Sequence, residues 1–394
     1  MSSLTTTRAH PAWLPALLGL FIAVGPAATD LYLPAFPAVE ASFGTAPGTA
    51  QLTLATWFAG LALGQITQGS LSDRYGRRLP LISGFILFTL GNIGCALAPS
   101  LTALAIFRAV AAFGASAGMV IARAMVRDLA DGEAAAIMMS RLVLVMGLAP
   151  ILAPSLGGAI LLVAQWRAIF WVLTAYGAIC VLAARALLPE TLPPGRRVRL
   201  GFGEQAVRYR TILRERRFLT HAIMGGGGTF TLFAYLAGCA PVFEDGFGLS
   251  PSGFALIFGL CACAMVACAQ VNAMLLPRLG LSRLLRVVPG IALGGTIVLL
   301  AVSFAPVHRL WAVVAPLVLV IGCQAFINAN TTAAALSRHA ARAGSAAALL
   351  GTLQYSLGAL AGVLAGWLTD GTPRGMAALM ACGMLGAVIA DRFR

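Results

Sequence analysis

Twelve apolar runs, each about as long as a membrane is thick, decide what this chain can become. They fall at residues 13–35, 48–70, 79–98, 101–126, 133–163, 166–188, 218–242, 252–276, 284–304, 310–335, 345–368 and 373–391. A helix needs about 20 apolar residues to cross the hydrocarbon layer, and a spanning segment must satisfy its own backbone. Runs this long, joined by short turns, predict an all-α polytopic membrane protein. Composition agrees: 59% of the 394 residues are hydrophobic and only 10% are charged, against about 25% charged in a soluble chain. The run from Trp13 is too long for the core of a cleaved leader and has no small-residue cleavage site, so it is expected to remain as the first span.

The net charge of +14 could point to nucleic acid, but its placement argues against that. Every one of the 27 basic residues is arginine. They crowd alternate loops: Arg74, Arg77 and Arg78; Arg123 and Arg127; residues 185–217; Arg278, Arg283 and Arg286; Arg338 and Arg342; Arg392 and Arg394. The intervening loops hold Glu40, Arg167, Glu244 with Asp245, His308 with Arg309, and Asp370 with Arg374. Basic loops stay in the cytoplasm, so both termini are expected there. The eight cysteines lie inside or at the ends of apolar spans. Cys261 and Cys263 have no histidine or carboxylate at metal spacing, so they read as small packing residues rather than ligands or disulfides.

The chain repeats itself at an offset of 204. Pro37, Glu40, Phe43, Gly44, Pro47, Arg74 and Gly76 recur as Pro241, Glu244, Phe247, Gly248, Pro251, Arg278 and Gly280. Six spans separate the copies, so the halves are parallel repeats about an axis along the membrane normal. Residues 1–188 read as one six-helix bundle and 218–394 as the other. The arginine-dense stretch 189–217 reads as a linker, either a short amphipathic helix on anionic headgroups or a plain tether.

Four stretches carry chemistry. Residues 69–78 (GSLSDRYGRR) form the first dense cluster of charge, a tight turn in which Gly69 and Gly76 let the backbone bend and helices approach. Asp73 sits there among Arg74, Arg77 and Arg78, and Pro277 replaces it in the second copy, so the two copies do different jobs. Asp128, at the end of helix 4, is expected within reach of Arg74 or Arg77. Helix 4 also holds Arg108 inside its apolar run, where a charge is costly and marks a functional candidate. Helix 5 carries Gly147, Pro150, Pro154, Gly157 and Gly158, which suit a bent, closely packed helix. Asp30 is the one acidic residue well inside a predicted span. At 1.5 Å per residue it lies about 25 Å along helix 1, and Arg108 lies about 10 Å in from the opposite direction. Both depths fall in the outer half of a core about 30 Å thick, where a long arginine could bridge. Burial disfavours the charged carboxylate and a nearby guanidinium favours it. Asp30 is therefore the expected proton carrier, with Arg108 tuning it. A carboxylate snorkelling to the interface ahead of Pro34 is the alternative.

The turn at 69–78 resembles the loop between helices 2 and 3 of the major facilitator superfamily. Arg108 with Gly114 resembles that superfamily's helix 4 motif, without its usual glutamine. Helix 5 resembles its antiporter signature, with Ala153 in a glycine's place. DLYLPAFP at 30–37, the turn, VRD at 126–128, QVNAMLL at 270–276 and GSAAALLGTLQ at 344–354 together resemble the Bcr/CflA, or bicyclomycin-resistance, family of drug:proton antiporters. Ser70 stands where that family commonly has proline. The resemblance implies twelve helices in two pseudo-symmetric bundles around a cavity lined by helices 1, 2, 4, 5, 7, 8, 10 and 11. It implies a monomer in the bacterial inner membrane that exports small, mostly apolar drugs against inward protons, with no cofactor. It further implies that Asp73 faces the start of helix 11 near Gly344 and Ser345 and latches the cytoplasmic face in the outward-open state.

A polyspecific pocket needs a wide apolar wall with few polar anchors. Tyr32, Trp57, Met119, Met146, Tyr235, Phe326 and Tyr355 are candidate walls. Gln51, Asn92, Asn272, Asn328, Asn330 and Gln354 are candidate anchors, with core packing or helix–helix hydrogen bonding as the competing role for each. An exporter of an endogenous sugar or amino-acid derivative would use the same scaffold. An enzyme is disfavoured, because His10, His221, His308 and His339 are scattered at helix ends. A channel would need no titratable switch.

Overall fold

A computed structural model describes residues 13–129, 138, 142, 152–197, 202–305, 309–337, 343–368 and 370–393. Among them the chain forms helices and no strand. The first half contains α1 (Leu14–Asp30), α2 (Phe36–Phe43), α3 (Gln51–Tyr75), α4 (Arg78–Ala96), α5 (Leu101–Leu129), α6 (Leu152–Val163) and α7 (Arg167–Leu187). Then come α8 (Phe202–Leu213), α9 (Arg216–Ala240), α10 (Pro251–Leu279), α11 (Leu281–Ser303), α12 (Leu310–Leu336), α13 (Ala343–Leu368) and α14 (Pro373–Asp391). Among the described residues ten segments are long and apolar enough to cross a membrane, the first being the whole stretch Leu14–Phe43. The 25-residue α3 and the shorter α6 lie in the sequence where two further spans are expected.

Two boundaries differ from expectation. The first span runs to Phe43 rather than residue 35 and is broken at residues 31–35. Pro34 and Pro37 cannot donate to the preceding turn, so each restarts a helix, the first of them a single tight turn, Leu33–Ala35. The charged turn is also shorter than its sequence implies. Residues 69–75 continue α3, and only Gly76 and Arg77 separate it from α4. Gly76 makes so sharp a reversal possible with φ +92°, a conformation closed to side chains. Its repeat mate Gly280 has φ +74°, and Gly44 and Gly248 match at +61° and +66°. The sequence repeat is thus a repeat of backbone conformation.

Helices α1, α3, α4, α5 and α7 pack on one another, and α9 to α14 form a second set. Glycines bring α3, α4 and α5 into backbone contact. A Cβ at Gly91 would lie 2.7 Å from the Ala111 amide, and one at Gly64 would meet the Ser116 hydroxyl. Helices α3 and α13 join the two halves. Gly48, Ala55, Ala62 and Gly69 line one side of that seam at seven-residue spacing, facing Gly366, Gly362, Thr352 and Ala348. Such small residues let membrane helices approach through backbone packing where the hydrophobic effect offers nothing.

The linker contains an amphipathic helix, α8, but it docks on protein. Ile212 is buried with Phe218, Leu349 and Leu350. Tyr209 meets the Ser70 hydroxyl on α3 at 3.5 Å, and Arg208 donates to the Ser345 hydroxyl on α13 at 3.4 Å. It therefore touches both halves at their arginine-rich end.

Candidate functional site

The break at residues 31–35 builds the centre of the site. The Tyr32 amide turns to Thr29 in a tight 3.3 Å bond, which frees the Ala28 carbonyl. Arg108 Nη1 donates to that carbonyl at 2.9 Å. The guanidinium is fully buried over the rings of Trp57 at 4.3 Å and Tyr32 at 4.6 Å, with Phe170 at 6.0 Å. Its Nε and Nη2 make no hydrogen bond among the described residues. Tyr32 is fixed by Phe36 and Phe170 and by a 2.9 Å bond between its hydroxyl and Thr53. Cation–π attraction, worth most in such dry surroundings, offsets part of the cost of burying the charge.

Asp30 is buried but lies elsewhere on the helix. No ion pair joins it to Arg108 among the described residues. The turn that follows it, Leu33–Ala35, packs on α9 in the other half. Beside it, Gly157 of α6 packs on the Leu31 carbonyl, where any Cβ would collide. Pro154 and Gly158 are buried in the same short helix, while Gly147, Pro150 and Met146 lie outside the described residues.

At the arginine-rich end the structure assembles Asp73, Arg77 and Asp128. Arg77 Nε donates to Asp128 at 2.7 Å, and its Nη1 donates to both Asp73 at 2.5 Å and the Ser72 hydroxyl at 2.9 Å. Burial works against the Arg77 charge, yet these bonds to Asp128 and Asp73 hold its guanidinium above the usual arginine range. Arg74 is not part of the cluster; it is exposed, over the ring of Tyr75. Arg78 turns away to the Arg185 carbonyl. All three cluster members belong to the first half. Among the described residues Asp73 makes no hydrogen bond to Gly344 or Ser345, and Ser345 is met by Arg208 of α8 instead. Glu190 and Thr191 complete the network. Glu190 accepts from the Arg77 amide at 2.8 Å, at the start of α4, and Thr191 donates to Asp128 at 3.1 Å. A carboxylate at a helix start is favoured by the helix dipole, but nothing in the linker sequence ties Glu190 to α4.

The candidate wall residues separate into two groups. Tyr32 and Trp57 surround Arg108, Tyr235 stacks on Phe258 within the second half, and Met119 packs on Gly25 of α1. Tyr355 flanks Phe58 and Phe233, which stack with ring centroids 3.6 Å apart and planes 6° apart. The sequence does not single out Phe58 or Phe233, since an aromatic in an apolar run looks the same whichever way it faces. Phe326 is removed from this plane, within the packing of α11, α12 and α14. Among the anchors, Asn272 and Asn330 bond each other at 2.8 and 3.4 Å, a helix–helix link inside the second half. Asn92 donates to the Phe88 carbonyl, Asn328 is exposed, and Gln51 and Gln354 keep buried amide atoms without partners among the described residues.

Paired helix sets around a buried charge and an aromatic plane define a membrane transporter. The profile of the Major Facilitator Superfamily matches residues 17–363, and the chain belongs to that family. It is 34% identical to the uncharacterized MFS-type transporter YdgK of Bacillus subtilis, over 93% of this chain and 91% of that one. It is 25% identical to a bicyclomycin resistance protein homolog of Haemophilus influenzae, over 95% and 94%. It is 30% identical to a chloramphenicol resistance protein of Pseudomonas aeruginosa, over 77% and 72%. Its fold matches the crystal structure of a D-xylose-proton symporter with a TM-score of 0.75 at 16% identity, covering 96% of each chain.

Proposed function

We propose that this transporter exports small, mostly apolar drugs from the cytoplasm in exchange for protons, with Asp30 as the proton carrier. The observation that carries the reading is the position of Asp30. It is a buried carboxylate with no ion pair among the described residues, on the last turn before a break in its helix, and the turn that follows, Leu33–Ala35, packs on α9 of the opposite half. A carboxylate held away from both water and countercharge is costly to ionise, so its proton occupancy follows hydration. Relative motion of the halves changes that hydration. Relatives whose names include bicyclomycin and chloramphenicol resistance support a drug as the exchanged solute.

In this reading the arginine-rich end faces the cytoplasm of a bacterial inner membrane, with both termini on that side. Asp73, Arg77 and Asp128 brace α3 against α5 there, and the chain works as a monomer. Arg108 shapes the first half around its aromatic cage and sets the field near Asp30.

The test is transport by Asp30→Asn in proteoliposomes with an imposed pH gradient. The wild-type protein should accumulate chloramphenicol or another drug of a panel against its gradient. Asp30→Asn should lose uphill movement yet still equilibrate the drug. Uphill transport by this variant would exclude Asp30 as the carrier. Uphill transport of sugars or amino-acid derivatives, with no drug moved, would favour a metabolite exporter.

A further inference from the structure

Phe58 and Phe233 meet in a way no other ring pair does among the described residues. Phe58 belongs to α3 in the first half and Phe233 to α9 in the second. Their 3.6 Å centroid distance and 6° interplanar angle leave the rings almost eclipsed, face to face. Aromatic rings by themselves prefer an offset or edge-on meeting, with centroids about 4.5–7 Å apart, because two like quadrupoles repel when superposed. Pairs within each half follow that preference: Phe21 and Phe85 of the first meet at 5.0 Å and 48°, Phe254 and Phe258 of the second at 5.8 Å and 55°. The surrounding helices therefore impose the sandwich. Phe233 cannot withdraw, because its ring occupies the place a side chain would take on Gly358 of α13. Tyr355, one turn back on the same helix, lies nearly parallel at 5.9 Å from Phe233 and 6.4 Å from Phe58.

Resting on the drug-export reading above, we propose that the Phe58–Phe233 pair is a substrate slot for flat, electron-poor aromatic rings. Such a guest slides between the two phenyl rings as the halves part. The geometry sets the shape it accepts. Widening the gap by about 3.5–4 Å, one further carbon contact distance, admits a flat ring and gives it two stacked faces. A globular aliphatic solute of equal volume needs roughly twice that opening and gains no stacking. The electronics set the preference. An electron-poor heteroarene or nitroarene replaces a repulsive sandwich of like quadrupoles with two complementary ones. The slot takes one wall from each half, so it exists as a binding site only when the halves separate. When empty it is the hydrophobic plug between them.

Equilibrium dialysis tests this with the full-length protein in lipid nanodiscs and empty nanodiscs as baseline. The probes are acridine, flat and electron-poor, and 1-adamantanol, neutral and globular. The wild-type protein should bind acridine well above baseline and prefer it to adamantanol. Phe58→Leu and Phe233→Leu keep apolar bulk without a ring face. Each should weaken acridine about fivefold and leave adamantanol unchanged. Phe58→Tyr, which keeps the face and guards against misfolding, should retain acridine binding. The slot is ruled out if acridine does not exceed baseline in the wild type, if the leucine variants leave acridine unchanged or weaken both probes alike, or if Phe58→Tyr loses acridine too. Ring-dependent acridine binding together with a failure of proton-driven export in proteoliposomes would leave the slot standing and overturn the drug-export reading instead.

Discussion

Ala28 and Asp30 are two positions apart, and two steps along a helix turn it by about 200°. That rotation decides which partner each finds. Ala28 and Tyr32, four apart, share the face that receives Arg108, while Asp30 points away from it. Depth along the two helices can be counted from the sequence, and Arg108 reaches the Ala28 carbonyl, two positions from Asp30. The direction around the helix depends on how α1 is rotated, and a helix apolar on nearly every side does not declare it. The opposite holds for Asp73, Arg77 and Asp128: charges at the end of an apolar run have few places to go. Sequence offers both Arg74 and Arg77 as partners, and the reversal at Gly76 is what brings Arg77 back onto Asp73. Arg77→Ala should leave Asp128 half-buried without its cation, destabilising the protein by about 1–3 kcal/mol. Arg74→Ala should be nearly neutral. Thermal unfolding in one detergent compares them, and equal losses would contradict the assigned roles.

At the scale of elements, the helices were legible because length and apolarity in a membrane leave little choice. Their breaks were less so. Pro34 and Pro37 signal an interruption, yet that the chain resumes as helix to Phe43 follows from how it packs. The linker helix α8 has the amphipathic pattern of a lipid-surface helix, and pattern alone does not say whether its apolar face meets lipid or protein. Helix α6 shows what a small residue does at an element contact. Gly157 lies on the Leu31 carbonyl, within one residue of Asp30. Gly157→Val should push α6 off the hinge and lower uphill transport at least tenfold, with membrane insertion unchanged; Gly195→Val, where a Cβ meets open space, should not. Transport assays at matched protein levels distinguish them. Unimpaired transport by Gly157→Val would show that the contact is not needed.

For the whole molecule, the repeat at offset 204 announces two like halves, and their glycine conformations agree with it. It does not announce what lies between them, because the seam of small residues and the ring pair are built across the repeat rather than within it. If the halves move apart at the arginine-rich end during transport, a bond between Gly69 and Ala348 must stop them. A Cβ on Gly69 would lie 3.8 Å from that of Ala348, the separation of bonded cysteines. In a cysteine-free background, Gly69→Cys with Ala348→Cys should cross-link under oxidation, lose transport, and recover it on reduction. Full transport by the cross-linked protein would exclude opening at this seam.

The central claim is that drug and proton compete through Asp30. The direct measurement is proton release into weakly buffered solution, followed with a pH dye, when an exported drug is added to the purified protein. The wild-type protein should release protons in proportion to drug bound, and Asp30→Asn should bind the drug and release none. Undiminished release from Asp30→Asn, or drug binding without release in the wild type, would contradict the account.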